Sequence, residues 1–134
     1  MRVLFMLCLM LISTCSLYAA QGCTTIHGRA HYFDGDANLR IWHVGTHHDF
    51  TPADRASWDR IMHWLQQGIR PVDKRSAAPE SEVYMFADFR ICPTEPFKKG
   101  SVQEARVLSA THRHYVPAEQ IVKEWRARSA DRAK

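Results

Sequence analysis

From Glu82 to Cys92 every second residue is apolar: Val83, Met85, Ala87, Phe89 and Ile91 alternate with Tyr84, Phe86, Asp88 and Arg90. A period of two is the signature of an extended strand, because successive side chains point to opposite faces. Tyr84 and Phe86 make the second face partly apolar as well. A strand that is apolar on both sides is expected at the centre of a sheet, with a neighbour on each edge. Pro93 and Pro96 end it.

The other segments read as elements that could surround such a strand. Thr24 to Phe33 alternates, with Ile26, Gly28, Ala30 and Tyr32 on one face and Thr25, His27, Arg29, His31 and Phe33 on the other. Asp34-Gly35-Asp36 is a turn signal, and Asn38 to Thr46 reads as a second strand. Leu39, Ile41 and His43 share one of its faces, and Arg40, Trp42 and Val44 share the other. The two form a hairpin. The period then changes. Thr51-Pro52-Ala53-Asp54 is a helix start, and Trp58, Ile61, Met62 and Leu65 form one apolar stripe, so a helix is expected at about 52–67, with Gly68 as its stop. Pro71 to Ser81 is a loop. Ser101 to Tyr115 returns as one long strand or two short ones, its alternation broken near Val107-Leu108 in the manner of a bulge. Pro117 opens a final helix with Ile121, Val122 and Trp125 on one side.

This order predicts an α+β domain, mainly β. It is either a small open antiparallel sheet packed on the helix, or a partly open barrel of the oligonucleotide/oligosaccharide-binding (OB) type. Such barrels carry a helix between their third and fourth strands. In this chain His47 to Phe50 would have to supply the short third strand. The expected organisation is a leader over 1–22, a β-rich domain over 23–116 holding the helix, and a C-terminal helix with a basic tail over 117–134.

The leader follows from composition. Met1-Arg2 is followed by an apolar run from Val3 to Ile12 and then by small and polar residues ending Ala19-Ala20-Gln21-Gly22. This is the layout of a secretory signal peptide. Its apolar run is shorter than the roughly 20 residues a bilayer requires. Export to a periplasm or the exterior is therefore expected, with no transmembrane helix in the working protein. Of four cysteines, Cys8 and Cys15 fall in the leader. Cys23 and Cys92 remain and are expected to pair in an oxidising compartment. The bridge would be worth roughly 4 kcal/mol on the chain-entropy model. The competing fate for Cys23 is lipidation, since Ala20-Gln21-Gly22-Cys23 partly resembles a lipoprotein box. A thioether would consume the same sulfur, and lipidation alone would anchor the chain to a membrane. The full chain has a net charge of +4, with much of the excess in the last stretch, where Lys123, Arg126, Arg128, Arg132 and Lys134 outnumber the acids.

Gly28-Arg29, the Asp34-Gly35 turn, Arg40 to Thr46 (RIWHVGT) and Asp88 to Pro93 (DFRICP) resemble a group of small exported bacterial proteins of uncharacterised function. The likeness spans about 27–110. It implies a β-rich exported domain and brings no activity, cofactor or catalytic residue with it. The helical insert and the additional histidines lie outside the shared pattern.

Catalytic signatures are sparse. No serine sits in a Gly-x-Ser-x-Gly elbow, no glycine-rich phosphate loop is present, and neither Cys-x-x-Cys nor His-Glu-x-x-His occurs. Asp34-Gly35-Asp36-Ala37-Asn38 opens like a calcium loop. However, Leu39 stands where that loop needs glycine and Gly45 where it needs glutamate. Asp88 and Arg90 share a face, and the ordinary reading is an ion pair. A non-enzymatic binding module is the leading expectation, with Arg29, Arg40, Trp42 and Arg90 as a ligand surface on one sheet face. Its partner would be a small molecule, a sugar or an envelope protein. Nucleic acid is not expected, given the modest charge and the exported location. No cofactor is expected on this reading.

The alternative comes from eight histidines. A periplasmic zinc or copper protein could use His27, His31, His112 and His114, with His47 or His48 assisting. His112 and His114 would lie roughly 6–7 Å apart along a strand, whereas His27 and His31 would lie about 13 Å apart and need a third element to share an ion. The plain alternative is histidines on the polar face of a sheet.

Overall fold

The computed structural model describes residues 22–133. The expected leader therefore lies outside the described residues, apart from Gly22. Five strands and two helices follow in order: β1 (Thr24–Phe33), β2 (Asn38–His43), β3 (Asp49–Pro52), α1 (Arg55–Gln67), β4 (Val83–Pro93), β5 (Gln103–Pro117) and α2 (Ala118–Arg132). The strands close into a barrel in the order β1-β2-β3-β5-β4, with β4 returning to β1. The expected α+β, mainly β domain with an OB-like barrel is what forms, and the barrel is closed rather than partly open. Closure comes from a short parallel pairing, Phe50 with Gln103, Thr51 with Glu104 and Pro52 with Ala105, while every other pair is antiparallel. Closing the sheet removes both edges that an open sheet would leave unpaired.

The alternation in the sequence becomes the inside and outside of the barrel. Ile26, Ala30, Leu39, Ile41, Phe50, Val83, Met85, Ala87, Phe89, Ile91, Ala105 and Val107 are buried in one core. β4 is central, between β1 and β5, as its two apolar faces require. Gly28 sits opposite His43 and Ala87. A β-carbon there would fall 2.8 Å from both Ile41 and Phe89, so the packing of this small barrel needs the bare backbone.

α1 plugs one end of the barrel with Ile61 and Leu65, both fully buried, and with Trp58 and Met62 partly buried beside them. It starts later than the sequence suggests. Thr51 and Pro52 are strand residues of β3, and the cap is Asp54, whose carboxylate accepts the Ser57 N–H at 2.7 Å. Because β3 stops at Pro52, the next stretch of that β5 edge has no strand partner, and α1 supplies it. Ser57 Oγ accepts the Val107 N–H at 2.9 Å, and the Arg60 guanidinium donates to the Val107 carbonyl. Ser57 is buried for this reason.

Two register shifts bend β5 around β4. One lets Leu108 intervene between the partners of Arg90 and Ile91, at the site where the sequence pattern breaks. The other lies between the partners of Phe86 and Asp88 and coincides with His112, a non-glycine residue at φ 52°. At the opposite end of β1, Cys23 and Cys92 form a disulfide, one position beyond the Thr24–Ile91 pair. No helix among the described residues is long and apolar enough to cross a membrane.

Candidate ligand-binding face

The register of β1, β2 and β4 places a row of large side chains on the outside of the barrel. Arg29 is opposite Trp42 on one side and Phe86 on the other; His31 is opposite Arg40; Trp42 is opposite Asp49. Arg29, His31, Phe33, Asp36, Arg40, Trp42 and Asp49 line a depression of about 440 Å³. Three of the four residues expected to form a ligand surface, Arg29, Arg40 and Trp42, are therefore neighbours. The fourth is not. Arg90 pairs with Thr25 and Ser109, toward the disulfide end. That is four residues, about 13 Å, along the strand from the level of Arg29.

The depression is organised by aromatic stacking. The Arg29 guanidinium lies 4.7 Å from the Trp42 ring centroid and 5.0 Å from that of Tyr84. Held by two rings, it keeps its planar N–H edge for another acceptor. The Trp42 indole N–H donates to the Thr46 carbonyl at 2.7 Å, which fixes the ring. Thr46 is in turn held by its hydroxyl, which donates to the His43 carbonyl at 2.8 Å, in the turn around Gly45 at φ 82°. Neither Arg29 nor Arg40 has a carboxylate within ion-pairing distance among the described residues. Asp36 and Asp49 also line the depression.

His31 belongs to this face and not to a histidine cluster. It is 8% exposed, stacks on Tyr84 at 3.8 Å, meets the Phe33 ring edge-on, and shares a 3.0 Å hydrogen bond between Nδ1 and the Val83 carbonyl. Since a carbonyl can only accept, Nδ1 carries the proton. Burial lowers the imidazole pKa below its ordinary value. Burial likewise raises the Tyr84 hydroxyl.

The other histidines gather elsewhere. β5 does not lie beside β1, because β4 separates them. His27 and His112 meet across β4 by binding opposite oxygens of Asp88, at 3.0 and 2.9 Å. These bonds hold the Asp88 carboxyl below its usual range. The expected Asp88–Arg90 ion pair is not formed: on one strand the two side chains lie a full pleat repeat apart, and the histidines on β1 and β5 are nearer. His114, opposite Phe86, joins His27 and His112 along a shallow depression beside Glu124 of α2. His31 is remote from it. His48 packs against Phe50 and Phe97, and His47 is exposed. Among the described residues no group of three or more His, Cys, Asp or Glu is arranged to hold a metal ion.

Phe33, Asp36, Asp49 and Tyr84 complete the face. Tyr84 and Phe33 carry a usable signal, as aromatics on the outward face of their strands. Asp36 and Asp49 lie at loop and strand ends, where no period marks a direction. Comparison with protein-family models, with curated proteins and with solved structures finds no match for this chain.

Proposed function

We propose that this chain is an exported, non-enzymatic binding module whose ligand is a sugar unit bearing an acidic group, held on the outer face of β1 and β2. The observation that carries the reading is the pair of guanidiniums, Arg29 and Arg40, without carboxylate partners beside a fixed Trp42 ring. Guanidinium presents a planar fork that matches a carboxylate in bidentate fashion. The indole offers an apolar surface to a pyranose ring. Asp36 and Asp49 can accept hydrogen bonds from hydroxyls, which a sugar supplies in number. Export is supported by the leader pattern and by the Cys23–Cys92 bridge. A cysteine joined in that bridge has no valence left for a thioether, which favours a free chain over a lipid-anchored one.

The competing proposal, zinc or copper held by His27, His31, His112 and His114, gains no support from the geometry. His31 faces another neighbourhood, and Asp88 already engages Nδ1 of both His27 and His112.

The test is retention of the mature protein on immobilised acidic and neutral glycans, with Arg40→Gln and Trp42→Ala compared. Arg40 has no internal partner, so its replacement leaves folding intact. Retention on the acidic members that both variants lose is the expected outcome. Equal retention of wild type and Arg40→Gln, or none on any member, would contradict the proposal.

A further inference from the structure

None of the residues of helix α2 is buried. It is tied at its first turn. Pro117 continues the ladder opposite Val83, and Arg70 bridges Asp73 and Glu119 at 2.6 and 2.9 Å. Beyond that turn, Ile121, Glu124, Trp125, Arg128, Ser129 and Arg132 form one stripe at helical spacing. The stripe faces Arg29, Trp42, Val44 and Phe86 across a groove of about 580 Å³. Trp125 remains 63% exposed. Arg29 and Trp42 line both this groove and the depression on β1 and β2, so the two are continuous.

We infer that the groove under α2 takes the later acidic units of an anionic glycan chain whose first two units sit on the β1–β2 face. Three guanidiniums, Arg29, Arg128 and Arg132, line it without a carboxylate partner among the described residues, against the single acid Glu124. Arg128 and Arg132 are one turn apart, about 6 Å along the axis, which suits repeating charges more than one isolated anion. Trp125 and Trp42 give two apolar walls for rings. A glycan fits better than a nucleic acid. Asp36, Asp49 and Glu124 would repel a closely spaced phosphodiester backbone, but they accept hydrogen bonds from the hydroxyls that sugars carry. A convex membrane surface does not enter a groove of this shape. The inference rests on the acidic-sugar reading of β1 and β2.

The experiment measures binding of the mature chain to a dimer and a hexamer of galacturonate, to the methyl-esterified hexamer, to an oligothymidylate of matching charge, and to phosphatidylglycerol vesicles. Arg128→Gln/Arg132→Gln and Arg40→Gln are compared with wild type. Both α2 positions are exposed and unpaired, so the double variant keeps the fold. The hexamer should bind more tightly than the dimer, and methyl esterification should remove that gain. The α2 variant should weaken hexamer binding about tenfold while leaving the dimer unchanged. An α2 variant with wild-type hexamer affinity would overturn the groove assignment alone, provided Arg40→Gln still loses the dimer. No binding of dimer or hexamer to wild type would overturn the β1–β2 reading, and this inference with it. Tighter binding to the oligothymidylate or the vesicles than to the hexamer would overturn the ligand class.

Discussion

Burial of His31 between Tyr84 and the Val83 carbonyl removes its imidazole from water, and the neutral form is favoured in the folded protein. In the unfolded chain the same group takes up a proton near its ordinary pKa of about 6.5. Below that value the unfolded state binds more protons than the folded one. His31 therefore contributes stability that is fully present above about pH 6.5 and is lost as pH falls toward the lowered folded value. The melting temperature should drop between about pH 7.5 and pH 5.5, and His31→Phe, which keeps a ring on Tyr84, should flatten that drop. An unchanged slope in the variant would refute the assignment. Asp88 acts in a separate window. Its depressed pKa places its contribution above the ordinary carboxylate range and removes it only as pH falls further. At this scale the sequence was readable where side chains obey strand alternation. Arg29, Arg40 and Trp42 fall together because they are paired outward positions. His31 has the same parity, but Tyr84 and Phe33 cover it, and such a cover is a tertiary fact without a sequence period.

Gly68 shows how an element boundary depends on packing. It ends α1 as its position suggests, but its φ is an ordinary −93°. The constraint is the Tyr115 ring, which a β-carbon at Gly68 would meet at 2.1 Å, while the Tyr115 hydroxyl donates to the Trp64 carbonyl at 3.0 Å. Gly68→Ala should destabilise the protein by about 1–3 kcal/mol in chemical denaturation, through displacement of Tyr115. At the other end of α1, Asp54→Ala removes the acceptor for the Ser57 N–H and should cost about 1 kcal/mol. Indistinguishable midpoints would refute either claim. α1 starts three residues later than the sequence suggests, because Thr51-Pro52 is a sound helix opening only in isolation. Three rungs of pairing with β5 hold those residues extended. The bulge at Leu108 was legible because Ala105 and Val107 set up an apolar alternation that then fails. The one at His112 was not, because residues 109–114 are almost uniformly polar and carry no information about facing. The inward stripe of α2 was hidden for a similar reason: its arginines read as a solvated helix end.

For the molecule as a whole, barrel closure and the disulfide act on different ensembles. The β3–β5 rungs complete the folded barrel, whereas the Cys23–Cys92 bridge restricts the unfolded chain across a separation of 69 residues. Replacing both cysteines by serine should lower unfolding free energy by about 4 kcal/mol on the chain-entropy model, measured by denaturant titration. A loss below about 1 kcal/mol would mean the bridge adds little beyond the β1–β4 ladder. The fold class was visible in the element order, since a helix between a third and a fourth strand is the OB arrangement. Full closure was not visible, because it depends on a parallel pairing between segments some fifty positions apart in the chain.

The most direct measurement is chemical-shift mapping on the isotope-labelled protein titrated with galacturonate oligomers. The largest perturbations should cluster at Arg29, His31, Arg40, Trp42 and Asp49, and extend to Trp125, Arg128 and Arg132 as the oligomer lengthens. Perturbations centred on His27, His112 and His114, on the β4–β5 loop, or nowhere on the barrel would contradict the assignment of this face.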